Sequence, residues 1–169
     1  GETSLLLGED FGPGWHDLSV FKRTEAETGY NYFYGVELAP GETLRSPKAL
    51  PERKIEFYGN SITCGFGNEG NNRDCPFEPL TENAWETYAS VTARSLAANY
   101  RTICFSGKGI YQNYGQNKEE PMPELYDRVY PQLENPRWDF STWQADLVVI
   151  NLGTNDFSHE NPSPEDFVG

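Results

Sequence analysis

Three short apolar runs, each closed by a glycine, constrain the fold of this chain more than any other feature. The runs are residues 54–58, 101–106 and 145–152, and the glycines are Gly59, Gly107 and Gly153. Runs of this length bounded by turn residues predict β-strands. In the third, four consecutive apolar residues, Leu147–Ile150, predict a strand buried on both faces, as in a parallel sheet.

Segments with helical features lie between and after these runs. Thr81 can cap a helix that extends to about Asn99, and the apolar residues on one face of that helix would be Trp85, Tyr88, Ala89, Thr92 and Leu96. A second helix is predicted over 123–130. A third begins at Ser163-Pro164, where a cap residue precedes proline and acidic residues follow. The order strand, helix, strand, helix, strand predicts an α/β fold with a doubly wound parallel sheet. Because the sequence stops inside the last helix, we expect this chain to be a fragment of a longer domain.

Residues 1–47 have a different pattern. Apolar and polar residues alternate over Trp15–Arg23, and similar runs occupy Thr3–Leu7 and Tyr30–Leu38. The pattern predicts three antiparallel strands, which alone would make a thin sheet with exposed edges. We therefore expect two units: residues 1–47 as the C-terminal strands of an N-terminal β-sandwich domain, and residues 54–169 as the N-terminal part of the α/β domain.

The charge balance limits the partners that this chain could bind. The 169 residues include 13 basic and 26 acidic side chains, a formal net charge of −13 at pH 7. Such a surface repels phosphate backbones and anionic membranes, so neither nucleic acid nor a membrane is an expected partner. No apolar run approaches the length of a membrane span.

The cysteines and histidines do not form a recognisable metal-binding set. The three cysteines are Cys64, Cys75 and Cys104, none of them in a CxxC pair, and the chain contains two histidines. We therefore expect neither a metal nor another cofactor. Cys104 lies in an apolar run and is predicted to be a core residue. Cys64 and Cys75 flank a loop and could either pair with each other or remain free.

Each predicted strand ends in a turn that carries a group useful for acyl transfer. The turns place Ser61 after the first strand, Gly107 after the second and Asn155 after the third. In an open parallel sheet, ligands bind beyond the carboxyl ends of the strands. Acyl transfer needs a nucleophilic hydroxyl together with donors aimed at the developing oxyanion. A serine, a glycine N–H and an asparagine amide could supply that set.

These turns resemble the sequence blocks of the SGNH (GDSL-like) serine hydrolases. Gly59-Asn60-Ser61-Ile62-Thr63 resembles the first block, Gly107 the second, and Gly153-Thr154-Asn155-Asp156 the third. The resemblance covers about residues 54–160. The longer segment 55–65 is most similar to carbohydrate esterase family 2. The resemblance implies a flavodoxin-like doubly wound sheet preceded by a β-sandwich (jelly-roll) domain.

The resemblance also implies roles for individual residues. Ser61 would be the nucleophile, while its own N–H, the N–H of Gly107 and the Asn155 side chain would form the oxyanion hole. Asn60 replaces the usual aspartate of the first block, which is not the triad acid. The catalytic histidine of this family lies near the C-terminus of the domain, beyond the end of this sequence, so we expect the fragment alone to be inactive.

Several neighbouring residues have alternative interpretations. Gly109 is the rival of Gly107 as an oxyanion donor. Asp156 is predicted to order its own loop through local hydrogen bonds. His159 could serve as a stand-in base, although its polar surroundings favour a solvated loop, and His16 is predicted to be structural.

Residues 65–70 match the dinucleotide-binding pattern GxGxxG letter for letter. That pattern needs a following helix whose N-terminus meets a pyrophosphate, whereas the residues after Gly70 are turn formers. We therefore predict a loop bordering the site and no dinucleotide.

By resemblance, the chain is predicted to come from a secreted esterase that removes acetyl groups from xylan and related plant polysaccharides, with an acetylated polysaccharide as its partner. Two alternatives remain open. One is a lipase or thioesterase of the same fold, and the other is a carbohydrate-binding module with a degenerate hydrolase site.

Overall fold

The computed structural model describes residues 3–8 and 11–168. Three strands form one parallel sheet in the order β2-β1-β3. Strand β1 spans Lys54–Gly59, β2 spans Asn99–Cys104 and β3 spans Leu147–Asn151. The register places Gly59 opposite both Cys104 and Asn151, so all three strands end at the same level. The predicted parallel sheet is confirmed.

Within the described residues, four short α-helices connect and flank these strands: α1 (Ser61–Cys64), α2 (Tyr88–Ser95), α3 (Met122–Leu125) and α4 (Pro164–Val168). Single turns of 3-10 helix occur at Ala26–Thr28, Ala84–Glu86, Tyr114–Gln116 and Phe140–Thr142. None of the helices in the described ranges is long and apolar enough to cross a membrane.

The core lies on both faces of the sheet, because neighbouring side chains of a strand point to opposite faces. On one face Ile55 and Phe57 of β1 pack with the small residues Ala89 and Ala93 of α2. On the other face, Tyr58 packs with Met122 and Leu125 of α3. Helices on both faces of a parallel sheet make this an α/β fold.

The helices are shorter than the sequence pattern predicts. Helix α2 begins at Tyr88 instead of near Thr81, because the Thr87 hydroxyl accepts a hydrogen bond from the N–H of Ser90 at 3.3 Å and acts as the cap. Asn83 caps a separate 3-10 turn before it. The predicted face is also wrong at Trp85, Thr92 and Leu96, which are all exposed. Helix α3 covers only the first part of the predicted 123–130 segment.

Strand β3 is not buried on both faces. It lies at the edge of the sheet, where Leu147, Val148 and Ile150 are 52%, 49% and 66% exposed. A consecutive apolar run predicts that a strand should be covered, but it does not supply the elements that cover it. The described residues leave about half or more of each of these side chains exposed.

The three strands predicted within residues 1–47 are absent from the structure. Thr3–Leu7, Trp15–Arg23 and Tyr30–Leu38 contain no strand, and side chains such as Leu6 and Tyr34 are more than three-quarters exposed. An alternating pattern predicts which side chains share a face, but a strand also needs partners to accept its backbone hydrogen bonds. The division into a β-sandwich segment (1–47) and an α/β unit (54–169) stays a prediction.

The two-sided core predicts which phenylalanines stabilise the fold. Phe57 is 1% exposed and Phe33 is 67% exposed. Phe57→Ala should lower the free energy of unfolding by about 3–5 kcal/mol, because it leaves a cavity against α2. Phe33→Ala, the matched control, should change it by less than about 0.5 kcal/mol. Urea denaturation followed by circular dichroism measures both, and equal midpoints for the two variants would contradict this core.

Candidate active site

The turns that follow the three strands all lie at the C-terminal end of the parallel strands. Because Gly59 pairs with Cys104 and Asn151, the segments carrying Ser61, Gly107 and Asn155 all leave the sheet at the same level. The N–H of Phe105 also donates to the carbonyl oxygen of Gly59 at 3.2 Å, which keeps the first two turns together. The structure therefore places the segments with the predicted site residues at the same end of the sheet.

A disulfide joins the first two turns. Cys64 of α1 is bonded to Cys104 at the end of β2, with 5.6 Å between their Cα atoms, and Cys75 is a free thiol. The possible Cys64–Cys75 pair is therefore wrong, and Cys104 is more than a core residue. The pair could not be predicted from the sequence, because the two cysteines are 40 residues apart and only the register of β1 against β2 brings α1 over the end of β2.

Ser61 is the first residue of α1, and Asn60 shapes the turn that presents it. The Asn60 side chain accepts a hydrogen bond from the N–H of Ile62 at 3.2 Å. The backbone carbonyl oxygen of Asn60 accepts hydrogen bonds from the N–H groups of Thr63 and Cys64 at 2.9 and 3.0 Å. The N–H and the hydroxyl of Ser61 have no hydrogen-bond partner among the described residues. Both groups are therefore available to a substrate.

The turn after β2 distinguishes its two candidate glycines. Gly107 adopts φ +77°, and no described atom lies within 4 Å of the position that a Cβ would occupy. Its N–H has no acceptor within the described ranges. The N–H of Gly109 donates to Oδ1 of Asn113 at 3.2 Å and is therefore occupied. The free N–H and the open approach favour Gly107 over Gly109 as an oxyanion donor.

Asn155 lies beside this turn. It is 7% exposed, and its Nδ2 donates to the carbonyl oxygen of Lys108, the residue after Gly107, at 2.8 Å. An amide nitrogen has two N–H donors, so one remains for a ligand. The third turn is thus fixed against the second.

Asp156 connects the same two turns more extensively. Its fully buried carboxylate accepts hydrogen bonds from the backbone N–H groups of Ile110, Tyr111 and Gln112 at 2.7–3.0 Å. These partners lie 44–46 residues away, so the prediction that Asp156 orders its own loop is wrong. Gly109 permits this approach, because a Cβ there would overlap the Asp156 carboxylate and the Gln112 carbonyl group.

This arrangement of turns has counterparts among known proteins. The model of the GDSL-like lipase/acylhydrolase family matches residues 57–168, about two-thirds of the chain. The chain belongs to this GDSL-like family. The match begins inside β1 and extends through all three turns of the site.

Proteins similar in sequence include some that are named as esterases. The chain is 46% identical over 159 residues to the cellulase/esterase CelE of Acetivibrio thermocellus, covering 92% of this chain and 19% of that protein. It is 36% identical over 157 residues to an acetylxylan esterase / glucomannan deacetylase of Cellvibrio japonicus, covering 89% of this chain and 42% of that protein.

Solved structures similar to this chain also include carbohydrate esterases. A family two carbohydrate esterase from Clostridium thermocellum, in complex with cellohexaose, superposes with a TM-score of 0.81 at 44% identity, covering 86% of this chain and 44% of that one. A family two carbohydrate esterase from Cellvibrio japonicus gives a TM-score of 0.65 at 31% identity, covering 71% and 36%. The chain thus spans less than half of each of these relatives.

Neither histidine of this GDSL-like chain contacts the candidate nucleophile through a hydrogen bond. His159 is exposed, and its Nδ1 lies 3.1 Å from the Ser158 hydroxyl oxygen, while its ring packs edge-on against Tyr114. His16 is also exposed, with Nε2 3.3 Å from the carbonyl oxygen of Gly12. The surroundings of His159 agree with the predicted solvated loop.

Residues 65–70 form a succession of turns, as predicted, and no helix follows them. Gly65 ends α1 in the left-handed conformation at φ +99°. Gly67 and Gly70 pack against the Sγ of Cys75, where a Cβ at either position would collide with the sulfur. The glycine pattern of this GDSL-like chain therefore serves close packing in a loop.

One site residue was not predicted from the sequence. Glu25, from the N-terminal segment, is buried behind the first two turns, and its Oε2 accepts a hydrogen bond from the N–H of Ser106 at 2.7 Å. Burial raises the pKa of the Glu25 carboxyl to about 7; the bonds from Ser106 oppose this shift, and the nearby Glu82 and Glu27 add to it. No local pattern distinguishes this glutamate from the other acids of the chain, because its partner is 81 residues away.

The same region contains a cluster with possible metal ligands. Single ligand atoms of Glu25, Cys64 and Glu82 lie within 4.8 Å of one another. The Cys64 sulfur is bonded to Cys104 and cannot act as a thiolate, so only two carboxylates remain. One carboxylate of the pair already binds Ser106. These residues do not fit a metal site.

The Asp156 hydrogen bonds predict a measurable effect on the second turn. Asp156→Asn should lower the free energy of unfolding by about 2–3 kcal/mol, because an amide offers one acceptor oxygen and places two N–H donors among the backbone N–H groups. Amide hydrogen exchange of residues 110–112 should accelerate. Asp74→Asn is the control, since the Asp74 side chain is 81% exposed. Unchanged exchange at 110–112 in Asp156→Asn would show that this carboxylate does not hold the turn.

Proposed function

We propose that the complete protein is a carbohydrate O-acetyl esterase that hydrolyses acetyl esters on xylan or related plant polysaccharides. Ser61 is the nucleophile, and the N–H of Ser61, the N–H of Gly107 and the side-chain amide of Asn155 form the oxyanion hole. The single observation that best supports this proposal is the pair of uncommitted backbone N–H groups on adjacent turns, with the buried Asn155 amide beside them.

The chemistry of this set follows from the placement of the groups. The Ser61 hydroxyl oxygen attacks the acetyl carbonyl carbon while a general base removes the hydroxyl proton. Negative charge develops on the carbonyl oxygen, where three N–H donors at about 3 Å can stabilise it. The tetrahedral intermediate then expels the sugar oxygen, which takes a proton from the protonated base. Water attacks the acetyl–Ser61 ester by the same route and releases acetate.

The general base is proposed to be a histidine outside these 169 residues. A serine hydroxyl is a weak nucleophile until a base takes its proton. His16 and His159 are the chain's histidines, and neither hydrogen-bonds to Ser61. We therefore assign no catalytic role to either.

The substrate class follows from the relatives. An acetylxylan esterase / glucomannan deacetylase and family two carbohydrate esterases are among the proteins to which this chain is similar. The Cys64–Cys104 disulfide supports a secreted protein, because disulfides persist in oxidising environments. The acidic net charge is compatible with an uncharged polysaccharide.

Carbohydrate binding without hydrolysis is the second candidate function. It is favoured by the similar esterase from Clostridium thermocellum, which was solved in complex with cellohexaose. Cellohexaose carries no acetyl ester, so its binding would not require Ser61 to react. Isothermal titration with cellohexaose, alongside an acetyl-ester assay, separates the two functions.

The nucleophile and the amide donor can be tested in the full-length protein. Ser61→Ala should reduce hydrolysis of an aryl acetate to background. Asn155→Ala should lower kcat by on the order of 10²-fold, the usual effect of removing an oxyanion donor. Ser19→Ala and Asn31→Ala are matched controls at exposed positions of the N-terminal segment. If Asn155→Ala raised KM and left kcat unchanged, Asn155 would bind substrate without stabilising the oxyanion.

The absence of a histidine beside Ser61 predicts how the 169 residues behave alone. Expressed without further chain, they should hydrolyse an aryl acetate on the order of 10³-fold more slowly than the full-length protein, because no base takes the Ser61 proton. His159→Ala in the full-length protein should leave kcat within about twofold. Full turnover by the 169 residues that is lost in His159→Ala would instead identify His159 as the base.

A further inference from the structure

The N-terminal segment contacts the α/β unit through a short stretch around Glu25. The N–H of Ala84 donates to the carbonyl oxygen of Arg23 at 2.8 Å, and the N–H of Glu25 donates to Oε1 of Glu82 at 2.8 Å. Glu25 itself is 7% exposed, whereas most of the segment is exposed. These bonds deliver one acidic side chain to a fixed position inside the α/β unit.

The carboxylate of Glu25 holds Ser106 at two points. Oε2 accepts from the Ser106 N–H at 2.7 Å, and Oε1 accepts from the Ser106 hydroxyl. The two bonds together restrict both the backbone and the side chain of Ser106. Glu25 touches neither Ser61 nor Asn155 through a hydrogen bond.

The restriction of Ser106 bears directly on the oxyanion donor. The N–H of Gly107 belongs to the peptide plane that begins at the Ser106 carbonyl carbon, so its direction depends on the Ser106 backbone. Gly107 has open space where a Cβ would stand and lies at φ +77°, and its carbonyl oxygen accepts a hydrogen bond from the N–H of Tyr114 at 2.8 Å. Three contacts hold the backbone around this N–H: Glu25 on Ser106, Tyr114 on the Gly107 carbonyl oxygen and Asn155 on the Lys108 carbonyl oxygen. Of these, the Glu25 bonds act on the residue whose backbone determines the direction of the Gly107 N–H.

We propose that Glu25 is a positioning residue of the esterase, which holds Ser106 so that the N–H of Gly107 points at the developing oxyanion. This inference rests on the proposed function, because it assumes that Gly107 is an oxyanion donor. It assigns a catalytic consequence to the N-terminal segment: a residue outside the α/β unit sets the geometry of a group inside the site. Misdirecting one donor should reduce transition-state stabilisation and leave ground-state binding of the ester nearly unchanged.

The isosteric variant provides a rescue test. Glutamine keeps a carbonyl oxygen that can accept from the Ser106 N–H, and its amide can donate to the Ser106 hydroxyl. It also resembles the neutral carboxyl, and the raised pKa of Glu25, about 7, means that the neutral form is well populated near neutral pH. Glu25→Gln should therefore preserve the clamp, and Glu25→Ala should abolish it.

The experiment compares kcat and KM of the full-length protein on an aryl acetate, below the melting temperature of every variant. We expect Glu25→Ala to lower kcat about 10- to 100-fold with KM within about threefold, a smaller loss than that from removing a donor outright. Glu25→Gln should stay within about threefold of wild type in kcat. Glu27→Ala, the matched control at an exposed glutamate two residues away, should be unchanged.

A second variant keeps the proposal testable if Glu25→Ala fails to fold. Ser106→Ala removes the hydroxyl bond and retains the N–H bond to Glu25, so kcat should fall about 3- to 10-fold with KM unchanged. The proposal would be overturned by a folded Glu25→Ala protein with wild-type kcat, by a change confined to KM, or by a Ser106→Ala protein with wild-type kcat.

Ser61→Ala in the same assay separates the positioning role of Glu25 from the proposed esterase function. Residual turnover there refutes the proposed function, whereas an inactive Ser61→Ala beside a fully active Glu25→Ala refutes only the positioning role.

Discussion

The site depends on the parallel pairing of the central strand β1 with both of its neighbours. That register places Gly59 level with Cys104 and Asn151, so the turns after all three strands begin at the same end of the sheet. Ser61 and Asn155, which are 94 positions apart in sequence, therefore lie on turns that leave the same end of the sheet. A shift of one residue in either pairing would displace a turn along its strand by about 3.3 Å, comparable to the whole length of a hydrogen bond.

Hydrogen bonds and a disulfide between the turns fix their relative positions more closely than the strand register alone. Asp156 and Asn155 fix the third turn to the second, and the Cys64–Cys104 disulfide fixes the first turn to the second. The hydrogen bonds of Asp156 and Asn155 go to backbone groups away from the reacting atoms, and one N–H of Asn155 remains for a ligand. The N–H groups of Ser61 and Gly107 are left free, which is what preorganised stabilisation of an oxyanion requires.

The sequence predicted the features that depend on local residues and missed those that depend on distant partners. Glycine-closed apolar runs identified all three strands, and the Ser163-Pro164 pair identified the start of α4. The disulfide, the reach of Asp156 and the burial of Glu25 join residues 40–81 positions apart, and no local pattern encodes such pairs. The strands predicted in the N-terminal segment are absent from the described residues for a related reason, because alternation specifies a face but not a partner.

Covalent labelling tests most directly whether Ser61 is the nucleophile of an acyl-transfer site. A phosphonyl fluoride reacts with an activated serine by losing fluoride and leaves a stable adduct that peptide mass spectrometry can locate. In the full-length protein we predict one adduct, on the peptide that contains Ser61, which forms at the same rate as esterase activity is lost. Complete inactivation with the adduct on a different residue, and Ser61 unmodified, would contradict it.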